Sequence, residues 1–155
     1  CLYWSQLCTF RTPLTECPIE RFVDVVRYFL SGWHIRPKGV KKPYNPVLGE
    51  FFRCRWRCPD ESHSFYIAEQ VSHHPPISAF FYANPMNHII GMGNFKPKGR
   101  FLGNSVASYL QGTNHIFFTN RPGEEYVITN PNIYARGVIF GMMFLEIGDI
   151  ATITC

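Results

Sequence analysis

Phe51-Phe52-Arg53-Cys54-Arg55-Trp56-Arg57 is the stretch that decides the fold. Phe52, Cys54 and Trp56 alternate with Arg53, Arg55 and Arg57, and a period of two is the signature of a strand with one buried and one wet face. Pro59-Asp60 turns the chain into a second run of strand character at 64–71, and Pro75-Pro76 separates that run from a third at 77–82. Further strands are expected near 88–95, 106–111, 115–120, 126–129, 138–147 and 150–154, with turn chemistry at 120–123 and at Gly148-Asp149. So many strands on short connections predict an antiparallel meander that curls into a barrel or splits into two sheets.

On the N-terminal side the period changes. Pro18 suits a first helical position, and Ile19, Phe22, Val23, Val26, Phe29, Leu30 and Trp33 follow at helical spacing. Glu20, Asp24, Arg27 and Ser31 fall opposite, and Gly32 supplies a stop. A helix at about 18–33 is therefore expected, its apolar stripe serving core packing and no chemistry. Residues 34–49, with three prolines and two glycines, read as an ordered loop. The expected fold class is mainly β with a short α-helical N-terminal part, and the strand meander spans about 51–155.

Composition agrees. A chain of 155 residues suits one domain, 46% hydrophobic content suits a packed core, and 17% charged residues exclude charge-driven disorder. The 14 Phe, 8 Tyr and 3 Trp promise an aromatic interior. The longest apolar run, at 137–145, has nine residues, whereas a spanning helix needs about 20. Six cysteines are too sparse for a disulfide scaffold, and they show no CxxC pair and no His at zinc-finger spacing. Reduced thiols in a cytosolic protein are expected, with no metal and no cofactor. The chain begins at Cys1 and stops at Cys155 inside an alternating pattern, as an excerpt of a longer domain would.

Charge is concentrated. Between Trp33 and Cys58 the net charge is +6, more than the +4 of the whole chain. Such a segment attracts anions: nucleic acid, an anionic membrane surface or a phosphorylated ligand. Nucleic acid is disfavoured because no helix carries a basic stripe and no nucleic-acid motif appears. The plainer alternative is that Arg53, Arg55 and Arg57 form the solvated face of a strand.

Two segments carry chemistry. In Lys41-Lys42-Pro43-Tyr44-Asn45-Pro46-Val47-Leu48-Gly49-Glu50, paired prolines stiffen the backbone that presents Lys42 and Asn45. In Glu69-Gln70-Val71-Ser72-His73-His74-Pro75-Pro76, a strand ends in two imidazoles. Lys, His and Asn together supply a point charge, ring N–H donors and an amide donor, a set suited to a phosphate monoester. A metal site is the first rival, but adjacent residues of an extended segment point to opposite faces, so His73 and His74 would not chelate easily. Acid–base catalysis with Glu69 or Glu50 is a second, though no nucleophile elbow or paired-carboxylate signature accompanies it. A packed, hydrogen-bonded His pair without a ligand is a third. Spacing alone leaves these open.

The second segment resembles the EQVSHHPP fingerprint of the oxysterol-binding protein family residue for residue, and residues 42–50 resemble its KPxNPxLGE block. Similarity extends to residues 22–33, 98–105 (KGRFLGNS), 129–137 and 145–149. The resemblance implies a partial antiparallel β-barrel with a hydrophobic tunnel, residues 1–155 forming part of a longer lipid-binding domain whose lid and C-terminal part are absent. It implies no enzymatic activity. It implies intracellular transfer of a phospholipid or sterol in exchange for phosphatidylinositol 4-phosphate, with Lys42, Asn45, His73 and His74 holding the headgroup at the tunnel mouth. KKPYNP and KGRFLGNS favour phosphatidylserine over sterol as the second lipid, although Gly99 stands where several phosphatidylserine carriers have Ser. Peripheral attachment to an anionic membrane surface, at endoplasmic reticulum–plasma membrane or other contact sites, follows from the same resemblance. A sensor or tether that binds lipid without net transport is the alternative.

Overall fold

The computed structural model describes residues 12–33 and 43–155. A short 3-10 turn (Thr12–Leu14) leads into helix α1 (Pro18–Ser31), which starts on Pro18 and ends at Gly32. Ten strands follow: β1 (Phe51–Arg57), β2 (His63–His73), β3 (Pro76–Asn84), β4 (Ile89–Phe101), β5 (Ser105–Gln111), β6 (Thr113–Phe118), β7 (Glu125–Thr129), β8 (Asn132–Arg136), β9 (Phe144–Gly148) and β10 (Ile153–Thr154). All pair antiparallel in one sheet. Among the described residues β1 borders only β2 and β9 only β8, so the sheet is open. The fold is the mainly β, incompletely closed architecture expected.

Register shows that the meander is simpler than ten strands suggest. Gly93 faces Asn114 and Lys96 faces Gln111, so β5 and β6 are one run along β4, interrupted only at Gly112. Likewise β7 and β8 are one run broken at Asn130-Pro131, and β9 and β10 flank them in the same way. Gly112 has φ +118, and a Cβ there would lie 2.3 Å from the Asn94 carbonyl oxygen, so glycine is the residue that lets β4 approach at this break.

One face can be followed across the sheet. Cys54 lies opposite Tyr66, Tyr66 opposite Tyr82, Tyr82 opposite Gly91, Gly91 opposite Ile116, and Ile116 opposite Tyr126. Helix α1 covers this inner face, where Val25, Tyr28 and Phe29 meet Tyr82, Ile116 and Ile128 in the buried core. Fully burying one such side chain is worth about 1.5–3 kcal/mol. Counting by twos along β4 continues the inner face to Phe101, which lies opposite Val106, then Ala135, then Leu145. This second half of the inner face, on β5, β8 and β9, has no helix over it among the described residues.

Three expectations are corrected. The helix buries Arg21, Val25, Tyr28 and Phe29, while Ile19, Val23 and Leu30 are exposed. Apolar residues occupy so much of its circumference that periodicity did not choose the face. Arg21 did: buried, it makes 2.6 and 2.7 Å hydrogen bonds to the Glu124 carboxylate and donates to the Thr15 and Glu16 carbonyls at 2.8 Å. Second, β4 runs through Pro97 instead of stopping near Phe95. Leu110, opposite Pro97, sends its N–H away to Asn132 at 3.0 Å, so the amide hydrogen that Pro97 lacks would point away from β5, to the side where pairing with β3 stops at Phe95. Third, the apolar stretch expected as a strand at 138–147 is a strand only over Phe144–Gly148, and Asn132–Arg136 before it is a strand the pattern did not show.

Cys17, Cys54 and Cys155 are free. Cys58 is disulfide-bonded, so the expectation of reduced thiols does not hold there. No helix among the described residues is long and apolar enough to cross a membrane.

Candidate functional site

The site grows from an irregularity in β2. Gln70 pairs with Ser78, but the next pairs are Ser72 with Ile77 and His73 with Pro76, so Val71 is an extra residue that bulges the strand. Gln70 is buried and holds the bulge: its Oε1 accepts from Ser78 Oγ at 2.5 Å and its Nε2 donates to the Ser72 carbonyl at 2.8 Å. Ser72 Oγ in turn donates to the Pro75 carbonyl at 2.7 Å and closes the turn into β3. The His74–Pro75 bond is cis.

At this turn the two imidazoles meet. His73 Nδ1 lies 3.2 Å from His74 Nε2, with ring centroids 4.5 Å apart and the planes nearly perpendicular. Opposite-facing side chains were expected from an extended backbone; the chain leaves the strand at His73, and the expectation fails. Within the pair one nitrogen donates and the other accepts, which leaves one nitrogen on each ring for a ligand. His73 is half-buried and His74 exposed. Among the described residues no three His, Cys, Asp or Glu side chains are grouped as a metal site would require.

The second sequence segment is docked on the first by backbone. Gly49 N–H donates to the Gln70 carbonyl at 2.9 Å, and Gln70 N–H donates back to the Glu50 carbonyl at 2.9 Å. Residues 47–50 form a turn in which Glu50 N–H reaches the Val47 carbonyl at 3.0 Å and the Glu50 carboxylate accepts from Val47 N–H at 2.9 Å. Gly49 adopts φ +79, the left-handed region that favours glycine. Glu50 is thus occupied as a turn clasp. Asn45 lies exposed just before this turn and makes no hydrogen bond to either imidazole among the described residues. Lys42 lies outside the described residues.

Between α1 and the inner face lies a cleft of about 280 Å³. Phe29, Trp33, Tyr66, Phe80 and Phe95 line it, with Asn114 and Asn130 as polar groups on its wall. Tyr66 stacks on Phe80 at 6.0 Å, and burial pushes its phenol above the ordinary value. This volume approaches that of a small-molecule site, and the lining is the apolar, aromatic kind that such sites use. Helical spacing signalled Phe29 and Trp33, and the period of two signalled the strand aromatics; Asn130 carried no signal, because its place depends on the break between β7 and β8. Arg53, Arg55 and Arg57 do not contribute. They lie on the outer face, exposed and away from this cleft, where Arg57 pairs with Glu61.

Known proteins match over most of the chain. Residues 2–155 match the family model described as oxysterol-binding protein. An oxysterol-binding protein homolog of Schizosaccharomyces pombe is 50% identical over 152 residues, which is 91% of this chain and 32% of the relative. Human oxysterol-binding protein-related protein 8 is 49% identical over 143 residues, 92% of this chain and 16% of the relative. Among solved structures, the Saccharomyces cerevisiae Osh3 ORD in complex with PI(4)P superposes with TM-score 0.75 at 25% identity, covering 97% of this chain and 38% of that one. The Osh1 ORD domain in complex with ergosterol gives TM-score 0.74 at 27% identity, covering 97% of this chain and 34% of that one. The chain therefore spans about a third or less of the relatives it matches.

Proposed function

The chain belongs to the oxysterol-binding protein family, and from that premise we propose that it is part of a longer lipid-binding domain that carries lipid between membranes inside the cell. The family is defined by binding, and no reaction is assigned. The headgroup ligand is phosphatidylinositol 4-phosphate, held by Lys42, Asn45, His73 and His74, and the exchanged lipid is phosphatidylserine in preference to sterol. The protein works from the cytosol, peripherally on anionic membrane at sites where two membranes approach.

The observation that carries this reading is the contact between His73 and His74 at the end of a strand whose inner face is aromatic. A phosphate monoester needs donors at the rim, and acyl chains need a dry wall behind them. The Gln70, Ser72 and Ser78 hydrogen bonds make the imidazole geometry part of the fold, so little ordering is left to the moment of binding. Relatives solved with PI(4)P and with ergosterol support lipid as the ligand class.

In the full-length protein, His73→Ala with His74→Ala is expected to abolish extraction of phosphatidylinositol 4-phosphate from liposomes. Unchanged extraction would falsify the assignment. Donor-to-acceptor flux between two liposome populations separates transfer from sensing: binding without flux favours the sensor or tether. Competition between phosphatidylserine and sterol in the same assay decides the second lipid.

A further inference from the structure

The turns of an antiparallel meander alternate between its two ends. The β2–β3 turn with His73 and His74, the β4–β5 turn at 102–104 and the β8–β9 loop at 137–143 therefore share one end of the sheet. That loop carries no charged residue, and its side chains protrude: Phe140 is 77% exposed, Met142 85% and Met143 70%. Phe101 and Leu102, in the neighbouring turn, are exposed as well.

An exposed apolar loop in water gains nothing from being ordered, yet this one is clamped. Asn104 Oδ1 accepts from Ile139 N–H and Phe140 N–H, each at 2.9 Å, and its Nδ2 donates to the Phe140 carbonyl at 2.9 Å. Its backbone carbonyl also accepts from Val138 N–H at 3.2 Å. Gly137 (φ +70) and Gly141 (φ +97) supply the left-handed turns, and a Cβ on Gly137 would lie 2.4 Å from the Met142 carbonyl oxygen. One asparagine thus ties two apolar turns into a single projecting tip. Behind it, on the opposite face of β4, Lys98 and Arg100 are exposed and make no ion pair among the described residues.

We propose that this tip is a membrane wedge: Phe140, Met142 and Met143 enter the interfacial region of a bilayer while Lys98 and Arg100 face anionic headgroups. A protruding, uncharged, preorganised loop backed by unpaired cations fits a lipid surface. The inference rests on the lipid-transfer reading only in that it puts the His pair and the wedge on the same membrane-facing end; the wedge itself stands on the loop.

The test uses the full-length chain and vesicles of equal parts phosphatidylcholine and phosphatidylserine. Phe140→Trp is expected to emit like an exposed indole in buffer, to shift blue on vesicle addition and to be quenched by brominated phosphatidylcholine. No shift and no quenching overturns the wedge. So does emission that is already blue without vesicles and indifferent to brominated lipid, because the tip is then covered by protein. Met142→Asp with Met143→Asp is expected to lower vesicle partitioning by about tenfold or more. Binding of a water-soluble short-chain phosphatidylinositol 4-phosphate by that variant is expected to stay unchanged. Should the unsubstituted protein fail to bind the soluble phosphoinositide while its tip still inserts, the headgroup assignment falls and the wedge stands.

Discussion

The inner face of the sheet is mostly apolar on both sides of its breaks, but its two halves lead different lives. Over β3, β6 and β7 the helix is in place, and Tyr82, Ile116 and Ile128 are buried. Over β5, β8 and β9 no described residue covers it, and Leu145 is 76% exposed and Ile147 52%. The opposite face of that second half is polar, with Arg136 paired to Glu146 and Tyr134 donating to Asp149 at 2.6 Å. Alternation thus assigns the inner side in both halves, but only the first half gains stability from it within this chain.

Several substitutions test that contrast. Glu124→Ala leaves the Arg21 guanidinium buried without its carboxylate, and a loss of about 3–5 kcal/mol is expected in urea unfolding. The same pair has a pH signature. Arg21 holds the Glu124 carboxyl below the ordinary carboxylate range, so its contribution is full at neutral pH and fades as pH falls through that lowered value. Glu124→Gln is expected to flatten the acid limb of the stability profile; an unchanged limb would show that the pair does not fasten the helix. Ile116→Ala, in the covered half, should cost about 2–4 kcal/mol. Gly112→Ala, which forces a Cβ toward Asn94, should cost about 1–3 kcal/mol, read as a lowered urea midpoint with unchanged slope. Ile147→Ala, in the uncovered half, should stay within about 0.5 kcal/mol. A cost at Ile147 equal to that at Ile116 would erase the difference between the halves.

Much of the site was legible because its chemistry is local. The run from Glu69 to Pro76 showed a strand ending in two imidazoles, and the pair does meet at that end. What the linear reading assigned wrongly was their direction, since it had no way to foresee that the chain leaves the strand at His73. That Gln70 is the buried clamp of this segment was not legible, because its partner Ser78 comes from the next strand. Pro97 and Asn104 misled for the same reason. A proline ends a strand unless its missing donor faces an unpaired side, and 138–143 reads as a strand unless an asparagine from another turn takes its amides.

Alternation of side chains is a property of neighbouring residues along one chain, so it settled the β class and the strand faces. Which apolar stripe of the helix turns inward, where the long strands break and which loop is held out into solvent depend on partners as much as 103 residues away. Those contacts exist only once register has been chosen, and a hydrogen bond between distant residues leaves no trace in the spacing of either.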